Sequence, residues 1–209
     1  MNESNIHIYT DNEAANRLSN QQETLQSLAL CLPRTRERVQ QLLQNGLEDA
    51  EQIVSLEKAN KIQGKFDQGN GVIAAVDEKI VAMANFDLVG TWNRRPVFEI
   101  CDVVTDPQHR GMRLSSVVRE RCMQEILKKT PSAYWLGCTK DEKIIGTYER
   151  WKSTGACEEI GGDDYEDIKN QGCGESPMAE DKRTEARNWY IGCRIFLVDL
   201  QRLAKDRVK

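Results

Sequence analysis

A chain of 209 residues can bury a substantial core without disulfide or metal staples, and one large domain is its expected organisation. Lys plus Arg number 29 against 33 Asp plus Glu, a formal charge of −4 that lacks the basic excess of a general nucleic-acid binder. With 30% charged and 39% hydrophobic residues, and no apolar run near the roughly 20 residues that span a bilayer, the composition excludes membrane insertion and predicts a soluble globular protein.

Ile6 and Ile8 alternate with His7 and Tyr9, which predicts a short opening strand before a polar turn at Asp11-Asn12-Glu13. From Glu23 the leucines at 25, 28 and 32 recur at helical spacing. Pro33 suits a first helical turn, and Val39, Leu42 and Leu43 continue the stripe until Asn45-Gly46 stops it. A further helix is expected from Leu47 to about Ile62, with Ala50, Ile53, Val54 and Leu56 on its apolar side. Arg34, Arg36 and Arg38 form the solvated face of the middle helix.

Beyond Gly69-Asn70-Gly71 the pattern changes to short apolar runs. Gly71 to Val76 and Ile80 to Leu88 flank a tight connection at Asp77-Glu78-Lys79, and a second turn from Gly90 to Pro96 leads into a third strand, Val97 to Thr105. Leu114, Val117, Val118, Cys122 and Ile126 mark a helix ending near Lys129. Ala133 to Cys138 reads as a strand, Asp141 to about Lys152 as a helix, and Trp189 to Leu200 as a final strand. Between Glu158 and Glu185 ten acids face three bases, a local charge of −7 that leaves +3 for the rest of the chain. Gly161, Gly162, Gly172, Gly174 and Pro177 in the same stretch predict a long acidic surface loop, inserted at about 158–187 into a single domain spanning 1–209. The element order is that of an α/β fold with one central sheet flanked by helices.

The amino terminus, Met1 to Asn5, has neither the basic start nor the apolar stretch of a secretory signal, so a cytoplasmic chain is expected. Seven scattered cysteines, none closer than 16 residues to the next, form no CxxC pair and read as reduced thiols. With only two histidines, His7 and His109, no metal site is expected and Ser-His-Asp chemistry is disfavoured.

Chemistry concentrates where the third strand meets the following helix. Val103, Val104 and Thr105 lead through Asp106-Pro107-Gln108-His109 to Arg110, Gly111, Met112, Arg113, Leu114 and Ser115. A strand feeding a helix start gathers unpaired backbone N–H groups and the positive end of the helix dipole, which suits a phosphate. Arg110 and Arg113 add direct charge, and His109 is expected at the surface. The stretch Glu99 to Ser115 resembles the acetyl-CoA-binding core of the GCN5-related N-acetyltransferases, with its motif Arg/Gln-x-x-Gly-x-Gly/Ala. Pro107, Arg110 and Gly111 match, whereas Arg113 stands where the central glycine belongs and Ser115 replaces Gly/Ala. A second similarity lies in Ala133 to Cys138 followed by Asp141, at the family's Asn position, and Tyr148 seven residues later. Gly155-Ala156 follows in place of a glycine-aromatic turn.

The resemblance implies an acyl-CoA N-acyltransferase-like fold, with a mixed, mostly antiparallel sheet, and direct transfer of an acetyl group from acetyl-CoA to a primary amine of a small cationic molecule or protein. Val103, Val104 and Thr105 would offer backbone groups to the pantetheine arm, Arg110 to Ser115 would hold the pyrophosphate, and Asp141 would join the cofactor-binding set. Tyr148 would protonate the departing thiolate, a role its phenol suits because such a group is protonated at neutral pH. Glu99 is the leading candidate base, with Asp102 behind it because its parity sends it to the other face of the strand. Family members often dimerise, so a homodimer is compatible with the resemblance. Arg113 and the altered Gly155-Ala156 turn motivate the alternative, a non-catalytic acyl-CoA-binding or protein-interaction module of the same fold.

Overall fold

The computed structural model describes residues 5–170 and 193–206. In chain order its elements are β1 (Ile6–Thr10), α1 (Asp11–Ser19), α2 (Gln22–Leu30), α3 (Pro33–Gln44), α4 (Ala50–Asp67), β2 (Gly71–Val76), β3 (Lys79–Trp92) and β4 (Arg95–Thr105). A 3-10 turn at Pro107–His109 precedes α5 (Leu114–Lys129), β5 (Tyr134–Thr139), α6 (Glu142–Ser153), β6 (Cys157–Ile160), α7 (Gly162–Asn170), β7 (Arg194–Asp199) and α8 (Leu200–Asp206). The strands form one mixed sheet in the order β1-β2-β3-β4-β5-β7-β6, with β4 and β5 parallel. The contacts within the chain divide it into two compact units, Met1–Phe86 with Ile100–Cys122, and Asp87–Glu99 with Met123–Lys209.

In the first unit, β2 is buried along its whole length, which explains its unbroken apolar run rather than an alternating one. It pairs antiparallel with β1 and with β3. The β2–β3 connection is the tight hairpin expected: Asp77 and Glu78 both take left-handed φ, +47° and +66°, as a two-residue turn between twisted strands requires. Arg17 of α1 pairs with Glu78 at 2.5 Å and Gln21 bonds the Glu78 carbonyl at 2.8 Å, which ties α1 to that hairpin. Leu18, Leu25, Leu28, Ile62, Phe66, Ile73, Ile80 and Met83 build the core.

Asp11-Asn12-Glu13, expected as a polar turn, is instead the first turn of α1. Ala14, Ala15 and Leu18 give this short helix a buried side, and the small alanines carry too little hydrophobic contrast to announce it. The helix expected from Leu47 starts at Ala50 and runs on to Asp67, closing with Phe66 buried in the core.

In the second unit the β3–β4 turn shrinks to Asn93 and Arg94, at φ +50° and +63°, because the flanking residues extend the strands to Trp92 and from Arg95. Arg95 fastens the start of β4: its Nε donates to the Ser132 carbonyl at 2.6 Å, and its Nη1 to the Tyr134 hydroxyl at 2.9 Å and Asp199 at 2.8 Å. β5 and β7 pair antiparallel from Tyr134↔Asp199 to Thr139↔Arg194, and β6 adds to the other side of β7.

The acidic segment begins as ordered structure and not as a loop. Cys157–Ile160 is strand β6, and Gly162–Asn170 is α7, whose Tyr165 and Ile168 lie three apart and enter a core with Val97, Leu136, Ile195 and Leu197. Asp163 and Asp164 sit in its first turn, where carboxylates complement the helix dipole. The remainder of the expected loop, and positions 189–192 of the expected final strand, lie outside the described residues; β7 itself begins at Arg194. Among the described residues no helix is long and apolar enough to cross a membrane, and no group of three or more His, Cys, Asp or Glu is poised to hold a metal ion. Burial, reinforced by Glu158, pushes the Cys157 thiol up to about 12, so it behaves as an inert small hydrophobe.

Candidate active site

In the first unit, β4 delivers Val103, Val104 and Thr105 to a turn anchored by the Asp106 amide on the Val81 carbonyl at 2.8 Å. The Asp106 carboxylate accepts the Gln108 N–H at 2.8 Å and closes the 3-10 turn. Arg110 follows in extended conformation, then Gly111 at φ +89°, exposed Met112, and Arg113 at φ +59°. The Arg113 carbonyl accepts the N–H groups of Ser116 and Val117 at 3.0 and 3.1 Å, so Arg113 is the residue from which α5 starts. Leu114 is buried, as is Val118, which sets the direction of α5, while residues Arg110 to Arg113 are exposed.

Arg113 thus holds the left-handed conformation for which a glycine is the usual residue. Its side chain places a cation at the turn.

Asp102, the second candidate base, is a structural anchor. It takes a left-handed φ of +49° within β4, and its carboxylate meets Lys58 Nζ at 2.7 Å, the Asn85 amide at 2.9 Å and Lys65 Nζ at 3.9 Å. Burial pushes this carboxyl up, but Lys58, the Asn85 amide and Lys65 outweigh burial and hold it below the usual carboxylate range. A carboxylate so fully donated to is a poor proton acceptor.

In the second unit, register decides what Tyr148 and Glu99 face. Trp135 pairs with Val198 and Gly137 with Phe196, and Trp135, Val198 and Phe196 share the sheet face under α6 with the Cβ position of Gly137. Tyr148 of α6 is buried there, stacked on Phe196 at 4.4 Å between ring centroids and edge-on to Trp151 at 5.6 Å. Its hydroxyl lies over Gly137, where a Cβ would come within 2.0 Å of the oxygen. The phenol therefore reaches the backbone of β5 only because position 137 has no side chain.

Glu99 pairs in register with Leu136 and belongs to the opposite face, under α7. Its Oε2 accepts from Lys169 Nζ at 2.5 Å. Tyr148 and Glu99 are accordingly presented from the two faces of one sheet. Asp141 caps α6: its carboxylate accepts the Lys143 N–H at 2.9 Å, and its own N–H donates to Thr139 Oγ1 at 3.0 Å. Gly155 at φ +75° closes the same helix, with Gly155 N–H bonding the Lys152 carbonyl and Ala156 N–H the Trp151 carbonyl.

The model of the acetyltransferase (GNAT) family matches residues 36–152, more than half of the sequence. The chain belongs to that family. No curated protein sequence matches it. Among solved structures it is similar to a Pyrococcus horikoshii protein at 15% identity and a TM-score of 0.50, over 93% of this chain and 98% of that one. It is also similar to a GCN5-related N-acetyltransferase from Kribbella flavida (14% identity, TM-score 0.47, 76% of this chain and 34% of that one). A third is the N-acetylglutamate synthase of Neisseria gonorrhoeae, crystallised with coenzyme A and N-acetyl-glutamate (12% identity, TM-score 0.46, 95% and 36%). The chain thus spans about a third of the length of the latter two proteins.

Within this GNAT chain the strand-to-helix turn holds unpartnered polar atoms beside open space. Thr105 Oγ1 and His109 Nδ1 are buried without a hydrogen-bond partner, and the Cβ position of Gly111 opens onto space with no atom within 4 Å. Two participants escape sequence reasoning. Gly137 left a signal, a glycine inside an apolar strand, which marks a close approach by something else. Lys169 left none, because nothing in the spacing of a charged stretch says which lysine turns inward.

Proposed function

We propose that the chain is an N-acetyltransferase that moves an acetyl group from acetyl-CoA directly to a primary amine of a small cationic molecule or protein. The observation that carries this reading is the turn from Thr105 to Leu114, which keeps the two left-handed positions, Gly111 and Arg113, and leads from strand into the start of α5 in a chain of the GNAT family.

Acetyl-CoA supplies the activated acyl group. The backbone from Gly111 to Ser115, with the guanidinium groups of Arg110 and Arg113, holds negative charge at the helix start. Val103, Val104 and Thr105 orient an extended arm through their backbone, and Thr105 Oγ1 is an additional donor. Glu99 accepts a proton from the incoming ammonium, and Tyr148 gives one to the departing sulfur from the other face of the sheet. Asp141 acts by capping the helix that carries Tyr148. The acidic residues of α7, Asp163, Asp164, Glu166 and Asp167, favour a cationic acceptor. A cytoplasmic location and reduced thiols belong to the same reading.

Thiol release from acetyl-CoA across a panel of primary amines tests the proposal. Amine-dependent release is expected, and Tyr148→Phe should lower it by about 10²-fold or more while leaving acetyl-CoA affinity intact. A second reading, an acyl-CoA-binding module without chemistry, draws on the engagement of Glu99 by Lys169. Acetyl-CoA binding with no release on any amine would favour it.

A further inference from the structure

The carboxylate assigned as base already carries a primary amine. Lys169 Nζ stands 2.5 Å from Glu99 Oε2, and each side chain is only 22% exposed. This is not a meeting of two mobile surface groups. α7 is anchored in the turn that leads to Lys169 by Tyr165 and Ile168, buried with Val97 and Leu136. The Ile168 carbonyl lies so close over Gly90 that a Cβ there would sit 1.8 Å away, so the helix bearing Lys169 rests directly on the β3 backbone. The Tyr165 ring centroid, 5.6 Å from Lys169 Nζ, confines the ammonium from a second side. The chain therefore holds its own ε-amine where a proton could pass to Glu99, the first requirement placed on any acceptor.

We propose that Lys169 is an internal acceptor, acetylated by the chain's own activity when no other amine is supplied. The inference rests on the N-acetyltransferase reading with Glu99 as base. The Lys169 ammonium gives one proton to Glu99, and the neutral Nζ attacks the thioester carbonyl carbon. The new C–N bond forms as the C–S bond breaks, and the departing sulfur takes a proton from Tyr148. After exchange of protons with water, the products are acetyl-lysine and CoA thiol, and no oxidant or reductant is consumed. The acetylated side chain has no charge, so the ion pair between Lys169 and Glu99 is lost.

The test uses the full chain, acetyl-CoA without added amine, and peptide mass spectrometry of acetyl-lysine over time. Lys61 and Lys128 are internal references: both pair with carboxylates, yet their side chains are 66% and 60% exposed. A parallel reaction with N-hydroxysuccinimidyl acetate, which needs no enzyme, reports only how accessible and how readily deprotonated each lysine is. With acetyl-CoA, Lys169 should be labelled about a hundredfold faster than either reference, the low end of what positioned proton transfer contributes. With the chemical reagent it should be labelled last. Glu99→Gln should move the two readouts in opposite directions, raising chemical labelling of Lys169 and lowering its labelling by acetyl-CoA. A purely structural ion pair predicts that both rise. Lys169→Arg, which keeps the cation, should remove the label and leave the calorimetric affinity for acetyl-CoA unchanged. Labelling of Lys169 no faster than that of Lys61 and Lys128 would overturn the inference. Turnover on added amines with Lys169 unlabelled would overturn it and leave the N-acetyltransferase reading standing, and absence of acetyl-CoA binding would end both.

Discussion

Gly111 and Arg113 share the left-handed region of one turn, at φ +89° and +59°, and only one of them is the residue type that enters it without cost. For an L-residue that region costs about 1–2 kcal/mol, so Gly111→Ala should lose about that much stability, with no steric addition because the space around its Cβ is open. Arg113→Gly removes similar strain and adds about 0.5–1 kcal/mol of backbone entropy, so its stability should stay within about 1 kcal/mol of the parent. Urea unfolding of the two variants checks the pair; equal losses in both would contradict it. Gly137 poses the reverse problem, since a methyl group there meets the Tyr148 hydroxyl at 2.0 Å. Gly137→Ala should cost about 1–3 kcal/mol through displacement of Tyr148. It should also lower turnover toward that of Tyr148→Phe, and full turnover in a folded Gly137→Ala chain would detach the hydroxyl from the chemistry. At this scale the sequence named Tyr148, Gly111 and Arg113 because each belongs to a motif with fixed offsets. It did not name Lys169 because its significance comes from a pairing 70 residues away.

Among elements, β4 is fastened at its start by Arg95, and at Asp102 a left-handed φ accompanies a carboxylate held by two lysines of α4. Lys58 and Lys65 are seven residues apart, two turns of one helix face, and Asn85 bonds both Asp102 and Lys65. Asp102→Asn leaves the lysines without their anion and should cost about 1–3 kcal/mol. Because the folded carboxyl titrates below its unfolded counterpart, its contribution is present above about pH 4 and fades as pH falls through the lower, folded value. Unfolding free energy measured from neutral to acid pH should therefore fall less steeply in Asp102→Asn than in the parent, and identical slopes would contradict the assignment. The spacing of leucines and the apolar runs made α3, α5 and the β2–β3–β4 meander readable in advance. α1 and α7 were not, for two physical reasons: alanines hide an amphipathic face in the first, and in the second four acids mask the two residues, Tyr165 and Ile168, that do the packing.

For the whole molecule, the charge of −4 divides unevenly. The −7 borne between Glu158 and Glu185 includes α7, and the positive remainder includes Arg110 and Arg113. That division suits a reaction with a polyanionic donor and a cationic acceptor. The family and its sheet were legible from two short motifs in the right order, whereas the acceptor is not, because it depends on how side chains from distant segments converge. Titration calorimetry of the full chain with acetyl-CoA at low and high salt asks whether the Val103 to Ser115 segment holds the cofactor. Saturable binding at one site, weakening as salt screens Arg110 and Arg113, is expected; absence of binding at both salt concentrations would refute the assignment.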